Sequence, residues 1–205
     1  MTATNAPRIP PLPVADLGEE ETAALRAFMG DEGVARFCSD APDAPPLPTV
    51  LATLVRHPRL AAKWLPYNDV LLRQGSLDPR LRELVIMRVA WRAGSQYEWL
   101  QHVRLARGLG VSDAEIDAIA GAGAHEWAPL EADCLAATDE LLADYRVSDA
   151  TWSRLAEHLD QRQLVELVFV VGTYTCLAMA FESFGVPLDP DLVDYPAPRV
   201  APKGG

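Results

Sequence analysis

Four polar residues interrupt an otherwise apolar stretch of the sequence, namely Glu83, Ser95, Glu98 and His102. Burying an ionisable side chain costs several kcal/mol unless the charge is paired, so such residues need a partner or a purpose. Glu98 and His102 are four residues apart. On a helix their side chains lie on the same face, where the carboxylate can bond to the imidazole. This spacing indicates an acid–base pair that can accept and release a proton.

The first helix of this region has clear signals at both ends. Asp78 is a suitable N-cap residue, and Pro79 suits the first helical position. Residues 84–91 are apolar except for Arg88, and Gly94 interrupts the helix after them. A helix that is apolar on all sides is buried, so we expect this one to lie in the core.

A second helix follows directly and forms a hairpin with the first. The segment from Ser95 to Glu98 has the capping-box pattern, in which a hydroxyl and a carboxylate bond to the free N–H groups at the start of a helix. Because the chain reverses at Gly94, Glu83 can lie opposite His102 and hold the second nitrogen of its ring. The hairpin thus brings three ionisable residues together.

The remainder of the chain is also helical in pattern, and no segment has convincing strand character. A short helix begins at Ser112 and is closed by residues 121–123. Pro66 is expected to kink or split the helix in which it lies. The other predicted helices cover residues 49–56, 59–74, 130–145, 149–159 and 161–184. The predicted fold class is therefore all-α.

Proline usage divides the chain into three parts. Eight of the seventeen prolines lie before residue 49, where only residues 17–28 can repeat at helical spacing. We expect a Pro-rich N-terminal arm over residues 1–48 and a single all-α domain over residues 49–189. A Pro-rich tail over residues 190–205 is expected to lie on the surface.

Composition argues against several classes of protein. The 205 residues include 29 acidic and 18 basic side chains, and the net charge of −11 repels phosphate backbones and anionic lipid surfaces. Cys38, Cys134 and Cys176 are far apart, which predicts neither a disulfide framework nor a thiolate metal site. The other three histidines lack partners at metal-ligand spacing, and no export signal or membrane-spanning segment is predicted. We expect a cytoplasmic protein that binds no nucleic acid, membrane or metal.

The motifs of the hairpin resemble those of a known family. The spacing Glu83-x11-Ser95-x2-Glu98-x3-His102 resembles the Glu-x11-Cys-x2-Cys-x3-His pattern of alkylhydroperoxidase D. Two shorter motifs, Leu81-Arg-Glu-Leu-Val and Tyr97-Glu-Trp-x-x-His102, look like the wider carboxymuconolactone decarboxylase family. The resemblance covers residues 77–122, with a fainter match over 162–186. It implies an all-α bundle of the alkylhydroperoxidase D-like type that assembles as a homotrimer or hexamer.

The chain departs from that pattern at both cysteines that perform peroxidase chemistry, because Ser95 and Glu98 replace them. A hydroxyl and a carboxylate cannot cycle between thiol and disulfide, which disfavours a peroxidase. Decarboxylase members of the family work without a cofactor. The resemblance therefore implies a lyase or isomerase that transfers protons on a small carbonyl, lactone or hydroxy-acid compound.

Roles for the candidate residues follow from this reaction class. His102 would donate the proton, Glu83 would orient the ring, and Ser95 at a helix N-terminus would help to hold an oxyanion. Glu98 completes the catalytic set, but its negative charge would repel an anionic substrate. Either it is protonated, the substrate is neutral, or Arg88 or Arg92 compensates. The substrate-binding candidates are Ser95, Tyr97, Trp99 and Arg88.

Each candidate also has a structural interpretation. Ser95 and Glu98 can serve as a helix cap without taking part in catalysis, and His102 can be a hydrogen-bonded core residue. Glu83 can pair with one of three arginines, and the aromatic residues can pack in the core or at a subunit interface. The arginines are Arg80, Arg82 and Arg88, and the aromatic residues are Trp91, Tyr97 and Trp99. A non-catalytic oligomer that binds a small ligand therefore stays an alternative, as does a peroxidase-related antioxidant protein.

Overall fold

The computed structural model describes residues 6–39, 41 and 43–200, and every regular element among them is a helix. The all-α prediction is confirmed. The parts of the predicted arm and tail that fall on residues 1–5, 40, 42 and 201–205 lie outside the described residues. The helices are α1 (Glu19–Phe37), α2 (Thr49–Leu54), α3 (Pro58–Arg73), α4 (Pro79–Ala93), α5 (Gln96–Gly108), α6 (Asp113–Ile119), α7 (Pro129–Asp144), α8 (Asp149–Ala156) and α9 (Gln161–Phe184), with 3-10 turns at Val14–Asp16 and Pro190–Leu192.

The chain forms two compact units. One holds the residues up to Gln74 together with 181–193, and the other holds residues 75–180 and the C-terminal segment from Asp194. The domain limits predicted at residues 48 and 189 stay predictions, because this grouping does not show which part of the chain folds alone.

In the first unit, the Pro-rich N-terminal segment is tied down by backbone hydrogen bonds. Arg8 N–H donates to the carbonyl of Phe184, and Leu12 N–H donates to the carbonyl of Ala52, both over 2.8 Å. The helix predicted within residues 17–28 is longer than expected. It continues as α1 to Phe37 through a kink at Gly30, whose φ of 72° suits glycine. The added turns are held because Val34 and Phe37 pack on the core of this unit.

The second unit contains the hairpin predicted from sequence. The Asp78 side chain accepts from the N–H groups of Arg80 and Leu81, and Pro79 is the first residue of α4. Gly94 ends α4 with a φ of 81°. The predicted signals at both ends of this helix are therefore confirmed, and eight of its residues are buried as expected: Leu81, Glu83, Leu84, Val85, Ile86, Met87, Val89 and Ala90.

An arginine joins three helices of the second unit. Arg80 on α4 donates to Glu115 on α6 and to Glu131 on α7. Glu115 also closes the predicted capping box with Ser112, which is confirmed. His125, one of the three histidines without partners at metal-ligand spacing, is exposed and lies 3.6 Å from the same Glu115 carboxylate. This network fixes α6 and α7 against the start of the hairpin.

The longest helix, α9, is apolar along most of its length. Its most apolar stretch has a mean hydropathy of 2.0. Within the described part of the chain, α9 is the one helix that is long and apolar enough to cross a membrane. Half of that stretch is buried inside the protein, as in the core helix of a soluble domain.

Pro66, which was expected to kink or split its helix, lies inside α3, and the helix continues through it.

Candidate functional site

Glu83 and His102 meet in the core of the second unit. Glu83 lies on α4 and His102 on α5, and the reversal at Gly94 lets the two side chains face each other. The Nδ1 atom of His102 is 2.6 Å from Oε2 of Glu83. Glu83 is fully buried and His102 is 7% exposed. The contact expected between these two residues is therefore present.

A second hydrogen-bond donor, Arg82, completes the environment of Glu83. The guanidinium of Arg82 donates to Oε1 of Glu83 through Nε at 3.2 Å and Nη2 at 3.0 Å. Histidine and arginine were alternative partners at the sequence level, and the structure gives Glu83 both. Burial raises the pKa of Glu83, but the charge and hydrogen bond of His102, and then those of Arg82, outweigh burial and hold the pKa below the ordinary glutamate value.

This arrangement defines how His102 carries its proton. An ionised carboxylate only accepts hydrogen bonds, so the proton on Nδ1 points at Glu83. The Nε2 nitrogen is then the atom that can take up or release a proton. The buried pair thus supplies what an acid–base residue needs, which is a fixed ring orientation and a defined tautomer.

Tyr174 packs against the imidazole and was not among the predicted site residues. Its ring meets that of His102 edge-on, with the centroids 4.9 Å apart. It is 2% exposed and lies on α9, within the segment that only faintly matches the family pattern. A lone phenol in a largely apolar helical run is the sequence signal that could have identified it. α9 therefore contributes one wall of the His102 environment.

Ser95 begins α5 as predicted, but the capping box does not form. The Ser95 hydroxyl makes no cap hydrogen bond. The reason is the turn at Gly94, because the backbone N–H of Ser95 already donates to the carbonyl of Ala90 over 2.9 Å. The carboxylate of Glu98 therefore has no free Ser95 N–H to accept from. Glu98 is nevertheless buried, at 1% exposed.

The Ser95 hydroxyl is the unusual group of the site. It is fully buried, and no atom of the described part of the chain hydrogen-bonds to its Oγ. Buried hydroxyl groups almost always have a partner, so an exception calls for an explanation. Ser95 stands at the N-terminus of a 13-residue helix, where the backbone dipoles favour a negative group.

The two aromatic candidates are held inside the protein. Tyr97 is 3% exposed, and its hydroxyl accepts from the side-chain amide of Gln101 over 3.0 Å. Trp99 is fully buried, and its ring lies 5.0 Å from that of Trp91. Its indole N–H donates to the carbonyl of Pro198 over 2.8 Å. These contacts support a packing role for Trp99.

The C-terminal segment lies against the first turn of α5. Besides the contact of Pro198 with Trp99, the backbone N–H of Val200 donates to the side-chain oxygen of Gln96 over 2.8 Å. Val200 is 9% exposed and Leu192 is fully buried. The expectation that the tail after residue 189 lies on the surface is wrong for these two residues, because they complete apolar packing.

The arginine expected to bind substrate is already used in an ion pair. Arg88 donates twice to Asp139 on α7, over 2.9 and 2.6 Å, and once to the carbonyl of Ile119. Arg92 lies 3.4 Å from the same Asp139. Both arginines contact Asp139. These contacts do not support the expectation that Arg88 or Arg92 neutralises the charge of Glu98.

The thiols differ in their environment. Cys134 is fully buried, and burial, helped by Asp133 and Glu131, raises its pKa to about 12. A thiol with that pKa is not a nucleophile at neutral pH. Cys176 is exposed on α9. Among the described residues no group of three or more His, Cys, Asp or Glu side chains is arranged to hold a metal ion.

Comparison with known proteins supports the resemblance. Residues 58–140, which run from α3 into α7, match the sequence profile described as "Carboxymuconolactone decarboxylase family". The matched range includes Glu83, Ser95, Glu98 and His102. No curated protein sequence shows significant similarity to this chain.

Solved structures share the fold at low sequence identity. An uncharacterized peroxidase-related protein from Silicibacter sp. TM1040 is 18% identical with a TM-score of 0.70, over 95% of this chain and 98% of its own. An uncharacterized peroxidase-related protein with an alkylhydroperoxidase AhpD core, from Ralstonia eutropha JMP134, is 15% identical with a TM-score of 0.69, over 90% and 94%. A putative antioxidant defence protein AhpD from Agrobacterium tumefaciens is 17% identical with a TM-score of 0.54, over 60% and 85%.

Proposed function

Because residues 58–140 of this chain match the carboxymuconolactone decarboxylase family and the chain shares the fold of alkylhydroperoxidase D-like structures, we propose that it is a cytoplasmic enzyme that transfers protons without a cofactor. The reaction is a decarboxylation or a related lyase or isomerase step. Its substrate is a small carbonyl, lactone or hydroxy-acid compound. His102 is the proton carrier and Glu83 is its positioning residue.

The observation that carries this proposal is the buried contact between Glu83 and His102. The 2.6 Å separation and the second bond from Arg82 keep an ionised carboxylate behind the ring. The negative charge of Glu83 beside Nδ1 stabilises the imidazolium that forms when Nε2 takes up a proton. Positioned proton transfer of this kind contributes roughly 10²- to 10⁴-fold to a reaction rate.

The chemistry proceeds in two parts. The bond between the substrate carboxylate and the neighbouring carbon breaks, its electron pair moves onto the conjugated carbonyl, and carbon dioxide leaves. The imidazolium of His102 then delivers its Nε2 proton to the carbanion carbon, and solvent returns a proton to the ring. The charge that builds up on the carbonyl oxygen needs a donor, and the unpartnered Ser95 hydroxyl at the start of α5 is suited to that role.

Glu98 constrains the substrate. Its carboxyl group is buried on the same helix, one turn before His102. The arginines that were candidates to neutralise it make their ion pairs with Asp139. Of the three explanations open at the sequence level, a protonated Glu98 or a neutral substrate fits these contacts better than a compensating arginine.

Peroxide reduction is the second candidate, because two of the similar structures are named peroxidase-related. The two positions that carry cysteine in the family pattern are Ser95 and Glu98 here. Cys134 is buried with a raised pKa, so Cys176 is the remaining thiol of the second unit and the one exposed to solvent. A peroxidase would have to work through that thiol, and proton transfer at His102 requires no thiol.

The test is a substrate screen with small lactone acids, keto acids and hydroxy acids in D2O. Proton NMR follows both loss of carbon dioxide and deuterium uptake at carbon. We expect turnover by the wild type, a loss of at least about 100-fold in His102→Ala, and a smaller loss in Glu83→Gln. Equal turnover in all three proteins would remove the proposed roles.

Glu166→Gln is the matched control. Glu166 occupies the equivalent place in a short sequence echo of Arg82-Glu83-Leu84-Val85, and it too has a lowered pKa. Its carboxylate accepts from the backbone N–H groups of Ser76 and Leu77 and contacts no histidine. We expect wild-type turnover from this variant. Ligand binding without turnover by any substrate would favour the non-catalytic alternative, and peroxide-dependent thiol consumption would favour the second candidate.

A further inference from the structure

Two neighbouring side chains at the start of α5 carry hydrogen-bond donors without a partner. One donor is the hydroxyl of Ser95, a fully buried residue, and the other is the side-chain Nε2 of Gln96. Both atoms are buried, and no atom of the described residues hydrogen-bonds to either of them. Buried polar groups almost always have a partner, so two exceptions at consecutive positions call for a common explanation. The proposed function uses the Ser95 hydroxyl and gives the Gln96 amide no role.

The C-terminal segment fixes which way the Gln96 amide faces. The backbone N–H of Val200 donates to Oε1 of Gln96 over 2.8 Å. Turning the amide over would place its NH2 group against that N–H, donor against donor, so the oxygen must occupy this position. The bond from the Trp99 indole to the carbonyl of Pro198 holds the same segment in place. The NH2 group therefore lies on the other side of the amide, where the described chain offers it no acceptor.

Both donors belong to the positive end of a helix. Ser95 is the N-cap residue of the 13-residue α5, and Gln96 is its first residue. The Ser95 hydroxyl makes no cap hydrogen bond there. Helix N-termini attract groups that carry a full or partial negative charge. An oxygen atom from outside the chain would accept from these side chains and would lie in the favourable field of the helix.

Glu98 limits the kind of oxygen that can bind here. Its carboxyl group is 1% exposed and lies in the same first turn of α5. An ionised Glu98 would repel a carboxylate bound at this helix end, and the net charge of −11 also disfavours an anion. A carbonyl oxygen is neutral and has two lone pairs, so it can accept from a hydroxyl and an amide together. It fits whether Glu98 is ionised or protonated.

We propose that Ser95 and Gln96 together bind the carbonyl oxygen of a small lactone or ketone. The Ser95 hydroxyl and the Gln96 NH2 group both donate to that oxygen. Val200 is a positioning residue, because its N–H holds the amide in the donating orientation. The inference deepens the proposed function and rests on it for the reaction, in which negative charge collects on this oxygen. Binding of the carbonyl itself is measured without turnover.

The experiment follows ligand binding by proton–nitrogen NMR of the full chain labelled with nitrogen-15. The side-chain NH2 signal of Gln96 is identified as the one that is missing from Gln96→Glu. We expect γ-butyrolactone, added up to about 100 mM, to shift this signal. Tetrahydrofuran, the same ring without the carbonyl group, should leave it in place. Propionate should shift it less than the lactone does, and an equal or larger shift with propionate would overturn the choice of a neutral carbonyl.

A change at Gln96 separates the donor from the local fold. Gln96→Glu keeps an oxygen for the N–H of Val200 and loses only the NH2 donor, so lactone affinity, measured by ligand relaxation, should fall at least about tenfold. Gln163→Glu is the matched control. Oε1 of Gln163 also accepts from a backbone N–H, that of Asp160 over 3.0 Å, but its Nε2 already donates to the carbonyl of Ser76 over 3.1 Å. It should bind the lactone like the wild type.

Changes at Ser95 and Val200 test the other two residues without altering charge. Ser95→Ala should weaken lactone binding as Gln96→Glu does. Val200→Pro removes the N–H that orients the amide, so it should weaken binding more than Val200→Ala, which keeps that N–H. Equal effects of the two changes at Val200 would remove its positioning role. Circular dichroism and thermal unfolding show that each variant is folded.

Two results would overturn the proposed site. One is a Gln96 signal that the lactone does not shift in the wild type, and the other is undiminished lactone affinity in Gln96→Glu and Ser95→Ala. Buried water would then be the partner of these donors. Lactone binding that depends on both residues, in a protein that turns over no substrate, would support the site and remove the proposed reaction.

Discussion

The imidazole of His102 is held 2.6 Å from the carboxylate of Glu83, a residue 19 positions earlier on the preceding helix. Both groups are buried, and the second oxygen of Glu83 is bound by Arg82. The hydrogen bonds from His102 and Arg82 and the charge of the guanidinium favour the ionised form of this buried carboxylate. His102 is thereby fixed in orientation and in the position of its proton.

The tautomer of His102 gives the first prediction. In the wild type at alkaline pH, we expect the neutral ring to carry its proton on Nδ1, because Glu83 accepts from that atom. Glu83→Gln should shift the population toward the Nε2–H form, since an amide can present its NH2 group to the ring instead. Nitrogen-15 NMR of labelled histidine measures the ratio directly. An unchanged ratio in Glu83→Gln would contradict the assigned hydrogen bond.

The stability of the same variant gives the second prediction, through its dependence on pH. The pKa of Glu83 is lower in the folded protein than its ordinary value of 4.5. The ionised carboxylate therefore stabilises the fold above that value, and this contribution is lost as the pH falls through the folded-state pKa. We expect Glu83→Gln to lower the free energy of unfolding by about 2 kcal/mol at neutral pH, the range for a hydrogen bond to a charged group.

Urea unfolding from neutral pH down to pH 3 checks this prediction. The difference between the wild type and Glu83→Gln should be constant above the ordinary glutamate pKa and should shrink below it. A difference that grows as the pH falls would show that the pKa of Glu83 is raised rather than lowered in the folded protein.

Local sequence signals predicted the hairpin well. The ends of α4 at Asp78 and Gly94 depend on residues within one turn, and spacing alone placed Glu83 opposite His102. The chain reversal at Gly94 also explains why the predicted cap at Ser95 failed. The turn that ends α4 uses the Ser95 backbone N–H. This group is therefore not available to the capping box that the sequence from Ser95 to Glu98 predicted.

Partners distant in sequence could not be predicted in this way. Arg88 has Asp139 as its partner, 51 residues away, and Trp99 bonds to Pro198, 99 residues away. Tyr174 reaches His102 from α9. These contacts depend on how helices pack, and helix periodicity contains no information about which charged or aromatic side chains will meet. The site was therefore predictable where it lies within one hairpin and not where other elements complete it.

The Arg80 network gives the third prediction. Arg80 binds Glu115 and Glu131, both of which are largely buried, and so joins α4 to α6 and α7. Arg80→Ala should lower the free energy of unfolding by about 2 kcal/mol, because two carboxylates lose a charged partner. The matched control is Arg26→Ala, which removes an exposed ion pair with Asp31 and should change stability by less than about 0.5 kcal/mol. Equal effects of the two changes would show that the network does not fix these helices.

The thiols give the fourth prediction, which follows from the local environment of each. At mildly alkaline pH and low protein concentration, Cys176 should react rapidly with a disulfide reagent, because it is exposed. Cys134 should stay unreactive until the protein unfolds, since burial raises its pKa to about 12. Mass spectrometry of peptides from the labelled protein distinguishes the two. Fast labelling of Cys134 in the folded protein would contradict its buried position.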